Sequence, residues 1–238
     1  MLSQQLTIVI PTYNEEKYIS RTLMSIIRQI GIDGVKIIIA DANSTDKTIE
    51  IINKVKDNHK LNLDIIQGGI PSIGRNNGAK LATTPYILFV DADVTFANKK
   101  VIARAVDELA FGNFDMVGTN PIYKGEFDIR AYIMFRINKY ITRFLSKSKP
   151  FAIGGFMAVN RQVFNTLGGF DDKATQSEDW LLSKKILPKK FKLIPDLVTQ
   201  DNRRFKRYGY FNMIKLLYNN WKNRNNVSYF YQDQGYWK

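Results

Sequence analysis

Between residues 6 and 90 the chain alternates two patterns, short runs of branched aliphatic residues and stretches with apolar residues at helical spacing, with polar turns between them. Leu6 to Ile10 reads as a buried strand, stopped by Pro11, and Glu15 to Gln29 follows with Ile19, Leu23, Ile26 and Ile27 on one face. Val35 to Ala40 is a second buried strand, and Thr45 to Val55 a second helix with Ser44 or Thr45 as its cap. Leu63 to Ile66 is a third strand, Ser72 to Leu81 a helix despite Gly74 and Gly78, and Tyr86 to Val90 a fourth strand. Strands without polar alternation, separated by helices, form right-handed βαβ units. They predict a mainly parallel α/β sheet with helices on both faces.

The second half is less regular. Helices are expected at Lys99–Ala110, Phe127–Leu145, Arg161–Leu167, Glu178–Ile186 and Arg203–Trp221, with strands at Met116–Gly118 and Phe156–Val159. No internal repeat or Pro/Gly/Ser-rich linker divides the chain.

In an open parallel sheet, ligands bind beyond the carboxyl ends of the strands. Here those positions carry Pro11-Thr12-Tyr13-Asn14-Glu15, Asp41-Ala42-Asn43-Ser44, and the pair Asp91 and Asp93. Two carboxylates one residue apart at the end of a buried strand repel each other unless a cation sits between them. Oxygen-only ligands favour Mg2+ or Mn2+. The competing reading is a polar turn, for which Asp is well suited.

Composition removes several chemistries. The 238 residues contain no cysteine and one histidine, His59. Thiol nucleophiles, cysteine metal sites and histidine zinc sites are excluded, and a Ser-His-Asp triad lacks any supporting nucleophile motif. Neither GxxxxGK[ST] nor GxGxxG occurs, so bound phosphates must be held by a metal and by Arg or Lys. No run of apolar residues approaches membrane-spanning length and no signal-like start is present. The expected location is cytoplasmic, or peripheral on the inner face of a membrane. The net charge of +13 calls for an anionic partner or serves solubility.

Four segments, in order, resemble glycosyltransferase family 2, the inverting enzymes with a GT-A fold. They are TIVIPTYNEEKYISRTLMSI, IIADANSTDKTIEI, GRNNGAKLATTPYILFVDADV, and Phe151 to Leu182 with GGFMAVNRQVFNTLGGFDD and SEDWLL. The likeness covers roughly residues 6–95 and 151–205. It implies a GT-A domain over 1–205, with a nucleotide-sugar half (1–110), an acceptor-side half (111–205) and a basic aromatic helical extension (206–238).

The resemblance also implies roles. The donor would be a nucleotide-diphosphate-sugar held by Pro11, Thr12, Tyr13, Glu15, Asp41, Arg75 and Asp91, with Arg203 or Arg204 on the diphosphate. Asp93, with Asp91, would ligate Mg2+ or Mn2+, which stabilises a departing diphosphate as a Lewis acid. Asp179, with Glu178 as the lesser candidate, would take the proton of the acceptor hydroxyl. Gly154, Gly155 and Trp180 would meet the acceptor, a glycan or a lipid-linked sugar. Each position has a plainer reading: Asp41 as a helix cap, Arg75 as a surface arginine, Glu178-Asp179 as charge placement at a helix N-terminus, Trp180 as a core anchor. Gln200 to Phe205 resembles the family's Gln-x-x-Arg-Trp element imperfectly, which argues against processive synthesis.

Phe127–Leu145 and 203–224 interleave aromatic and aliphatic residues with Arg and Lys. Such helices suit an anionic membrane surface, or pack on the domain with solvated basic faces. A nucleic-acid-binding protein is a second reading of the charge, but it leaves the acidic strand ends unexplained, and no nucleic acid is expected. A silent sugar-nucleotide-binding relative is a third.

Overall fold

A computed structural model describes residues 1–232, apart from the side chains of Asp196, Leu197 and Arg204. The last residues of the expected extension, 233–238, lie outside the described residues. The strands are β1 (Leu6–Thr12), β2 (Lys36–Asp41), β3 (Leu63–Gln67), β4 (Tyr86–Val90), β5 (Thr95–Phe96), β6 (Met116–Tyr123), β7 (Phe156–Asn160) and β8 (Phe191–Gln200). They form one sheet in the order β3-β2-β1-β4-β7-β6-β8-β5. β1 to β4 pair in parallel, as expected, whereas β5 pairs antiparallel with β8. In the second half β7 runs antiparallel to both β4 and β6, so the whole sheet is mixed.

The helices are α1 (Ile19–Ile27), α2 (Thr48–His59), α3 (Pro71–Lys80), α4 (Val101–Ala110), α5 (Ile129–Leu145), α6 (Arg161–Thr166), α7 (Glu178–Ser183), α8 (Arg203–Tyr208) and α9 (Tyr210–Lys222). Side chains alternate across the sheet. Ile8, Ile10, Leu88, Val90 and Phe156 share one core layer with α1, α2 and α4. Val9, Ile87, Phe89, Met157 and Val159 share the other, with Phe164 and Leu182 from α6 and α7. Both faces are therefore dry, which is why the strands lack polar alternation.

Gly78 explains how α3 lies so close to the sheet. A Cβ there would come within 2.3 Å of Val9 Cγ1. The glycine that weakens the helix locally is what lets it seat on β1.

Several expected boundaries are corrected. β1 does not stop at Pro11; it continues to Thr12. Beyond Val9 it pairs with β2 alone, so one side of the strand needs no donor there. α1 starts four residues later than expected; the Glu15 and Glu16 N–H groups before it bond to the Thr48 and Asp46 side chains at the start of α2. Neither Ser44 nor Thr45 caps α2: Asp46 takes the Thr48 N–H at 2.9 Å, while the Ser44 hydroxyl is spent on Asp41. The single helix expected over Arg203–Trp221 is two, broken at Gly209 with φ of +78°. β5 and β8 lack an apolar run in sequence, and β6 extends past Gly118 through a register irregularity.

Candidate active site

The cleft forms where β4 ends. Arg75 projects from α3 and is 1% exposed. Its Nη2 donates to Asp91 Oδ1 at 2.7 Å, and its Nη1 to Glu178 Oε1. The guanidinium lies 5.4 Å from the Phe170 ring centre. A buried arginine is tolerable only when paired. Burial opposes its charge, but the carboxylates of Glu178, Asp91 and Asp179 outweigh that, raise its pKa and keep it charged. The surface-arginine reading of Arg75 is thereby removed. Arg75 joins the end of β4 to the start of α7, and Glu178, buried against it, is committed to that pair.

Asp179 follows immediately. Its Oδ2 accepts the Gly154 N–H and its Oδ1 the Trp180 N–H, each at 2.7 Å. Burial is the main cause that raises its pKa, from 3.8 to about 7. Glu178 adds to the rise, and Arg75 and the two N–H groups oppose it. Gly154 must be glycine for a steric reason: a Cβ would sit 2.6 Å from Arg75 Nη2. Ser177, preceding α7, has φ of +54°, an uncommon conformation for a residue with a side chain.

Arg203 reaches this cleft from across the chain. Its guanidinium forks onto Glu15, with N–O distances of 2.7 and 2.5 Å, and contacts Asp93 Oδ2 at 2.9 Å. It also lies 4.3 Å over the Tyr18 ring. Withdrawal from water raises the Glu15 pKa, with Arg203 opposing. The turn carrying Asp91 and Asp93 is fixed to α1 by the Thr22 hydroxyl, which donates to Ala92 O at 2.6 Å.

These carboxylates fit a divalent cation. The donor set is oxygen only, and Arg203 shows that the space between Glu15 and Asp93 accepts positive charge. Among the described residues no group of three or more acidic, His or Cys side chains forms a complete cage.

One cavity of about 200 Å³ brings together Arg75, Asp91, Asp93, Gly154, Asp179 and Arg203. Its far wall is apolar, built from Met134 and Phe135 on α5 and Met213, Leu216 and Leu217 on α9. Sequence reasoning missed this wall. Met213, Leu217 and Asn220, at i, i+4 and i+7, were the available signal for a helix face turned inward. Gln176, three residues before Asp179, was also missed.

Other expected residues sit elsewhere. Pro11, Thr12, Tyr13 and Asp41 do not line the cavity but lie together at the adjoining strand ends, with Thr12 opposite Asp41. Tyr13 is exposed. Asp41 does not cap a helix; its carboxylate holds Ser44 through N and Oγ, at 2.8 and 2.6 Å. Asn14 completes this stitching by accepting the Thr45 N–H at 2.8 Å. Gly155 packs on Val94 beside Asp91. Trp180 faces away, 5.8 Å from the Phe230 ring, which supports its core-anchor reading. The Arg204 side chain lies outside the described residues.

The fold is the GT-A type. Mannosyltransferase PcManGT from Pyrobaculum calidifontis, solved in complex with GDP-Man and Mn2+, superposes with a TM-score of 0.68 at 21% identity, over 90% of this chain and 64% of that one. TarS from S. aureus, solved in complex with UDP-GlcNAc, gives 0.63 at 22% identity, over 82% and 58%. The family model of glycosyl transferase family 2 matches residues 7–168, and the chain belongs to that family. It is 28% identical over 171 residues to the processive diacylglycerol beta-glycosyltransferase of Mycoplasma genitalium, covering 70% of this chain and 47% of the relative. It is 36% identical over 104 residues to the poly(ribitol-phosphate) beta-N-acetylglucosaminyltransferase TarS of Staphylococcus aureus, covering 42% and 18%. The chain thus spans about half, or less, of the length of these relatives.

Proposed function

We propose that the protein is an inverting glycosyltransferase that moves a sugar from a nucleotide-diphosphate-sugar to an acceptor hydroxyl, with Asp179 as the base. The observation that carries this is the carboxylate of Asp179. It opens on a cavity that also holds the Asp91–Asp93 turn and two arginines, and its pKa is raised to about 7. A base near operating pH both accepts a proton readily and is substantially ionised. Glu178 is the positioning partner, tied to Arg75, rather than a second base.

The donor reading draws support from the strand ends and from the structural neighbours, whose complexes hold GDP-Man and UDP-GlcNAc. Pro11, Thr12, Tyr13 and Asp41 would receive the nucleoside, Asp91 the sugar or ribose, and Arg203 the diphosphate. Asp93, aided by Asp91, would hold a divalent cation, as Mn2+ accompanies GDP-Man in the first neighbour. Such an ion supplies neutralisation of the charge on a departing diphosphate. Arg203, now on Glu15 and Asp93, has a flexible side chain and fork geometry suited to phosphate oxygens. The protein's own share of the reaction is to hold Asp179 through the Gly154 and Trp180 N–H groups and to take the acceptor proton on its carboxylate.

α5 and α9 would rest on an anionic membrane. Tyr140, Phe144, Phe211 and Trp221 are each more than half exposed, and Arg136, Lys139, Arg143 and Lys215 share their helices. Aromatic and basic residues together suit a headgroup interface. No helix among the described residues is long and apolar enough to cross a membrane.

Transfer kinetics test the assignment. With a donor and acceptor in hand, Asp179→Asn abolishes transfer while leaving donor affinity unchanged. Near-normal turnover of Asp179→Asn would remove Asp179 as base.

A further inference from the structure

Gln176 is 1% exposed, lines the cavity beside Asp179, and has no hydrogen-bond partner for either its amide nitrogen or its amide oxygen. An orphaned buried amide is costly. Asn220 of α9, on the cavity wall, donates to Ser177 Oγ at 3.2 Å but leaves its own Oδ1 unpartnered. Two polar side chains thus present an unmet donor and unmet acceptors next to the base. Past them the lining turns apolar, through Met134, Phe135, Met213 and Leu216, to Leu217, which is 48% exposed and so carries the apolar wall out to the surface.

We propose that this is an acceptor subsite for an amphiphile. Gln176 and Asn220 hold a hydroxylated head group so that one hydroxyl faces Asp179, and the chain attached to that head lies between α5 and α9. A wholly polar glycan would satisfy the two amides but leave its remaining hydroxyls against methionine, phenylalanine and leucine side chains, where they lose hydration without replacement. A purely apolar ligand would leave both amides unmet. Only a molecule polar at one end matches both halves of the cavity. The proposal rests on Asp179 being the base. It goes further by assigning the acceptor class and by giving Gln176 a positioning role.

Binding of n-alkyl β-D-glucosides (methyl, hexyl and octyl), below their micelle concentrations and without donor, tests this by calorimetry. Affinity is expected to rise with chain length, by up to about fourfold for each methylene buried. Gln176→Leu lowers affinity for every member by about five- to tenfold and keeps the chain-length dependence. Leu217→Asn weakens octyl glucoside far more than methyl glucoside. Asn220→Ala serves as a second head-group variant should Gln176→Leu melt early. Equal affinity for methyl and octyl glucosides overturns the proposal. So does unchanged binding in both head-group variants, or a chain-length dependence insensitive to Leu217→Asn, which would mean adsorption on the outer helix faces. Nucleotide-sugar binding, measured on the same samples, separates the two readings. Loss of donor binding alone contradicts glycosyl transfer, and loss of glucoside binding alone contradicts the amphiphile subsite.

Discussion

Asp179→Asn is expected to make the protein more stable, increasingly so as pH rises from about 5 to 7, and fully so above neutral pH. The unfolded chain releases this proton near 3.8, the folded protein near 7. Between those values the folded state holds a proton the unfolded state has lost, so stability falls as pH rises through that window. At about 1.4 kcal/mol per pH unit, an ionised Asp179 at pH 8 carries a penalty of about 4 kcal/mol. Asparagine removes the penalty but serves the two N–H groups of Gly154 and Trp180 less well, since it has one acceptor oxygen where the carboxylate has two. That mismatch costs roughly 1–2 kcal/mol. The net gain is about 2 kcal/mol at pH 8, a rise in melting temperature of about 4–8 °C for a chain of this length. At pH 5 the folded carboxyl is protonated while the unfolded one is largely ionised, so the penalty is down to roughly 1.6 kcal/mol; the asparagine mismatch offsets it and the gain vanishes. Thermal melts of both proteins by circular dichroism from pH 5 to pH 8 check this. A difference that does not change with pH, or a variant less stable at pH 8, would refute the argument that burial and Glu178 strain this carboxylate.

Other outcomes follow from the same contacts. Arg75→Met strands Glu178 and Asp91 without their cation and is expected to cost roughly 3–5 kcal/mol in urea unfolding. Gly78→Ala drives a methyl into Val9 and should destabilise by about 1–3 kcal/mol, with Val9→Ala restoring part of the loss in the double variant. Vesicles containing phosphatidylserine should bind the protein in flotation assays, and binding should weaken as salt rises; neutral vesicles should bind far less.

Much of the fold was legible because its parallel half is built from local units. Each strand run from Leu6 to Val90 is continuous, and the helix between two such runs is amphipathic. The second half was less so. β8 contains Lys192, Pro195 and Asp196 and is held by its pairing with β6, a contact no local pattern announces. At the site, Asp91, Asp93 and Asp179 could be named from spacing and resemblance. The Arg203–Glu15 fork could not be inferred, because it joins residues 188 positions apart. The roles of the loop residues following β1 and β2 were legible only in part. Asn14, Ser44, Asp46 and Thr48 build the two turns by bonding across them, which turn propensity implies but does not distinguish from ligand binding. Gln176 carried no signal, since an unpartnered amide is visible only once its surroundings are in place.

The most direct test is thermal stability in a panel of nucleotide-diphosphate-sugars, with and without Mn2+, for the wild type and Asp93→Ala. A donor at a hundred times its dissociation constant stabilises by about 2.7 kcal/mol, so one member of the panel should raise the wild-type melting temperature by about 5–10 °C in the presence of Mn2+. Asp93→Ala should lose the Mn2+-dependent part of that rise. If no nucleotide sugar stabilises the wild type, or the rise is the same without metal and in Asp93→Ala, the cleft at the end of β4 is not a metal-assisted donor site.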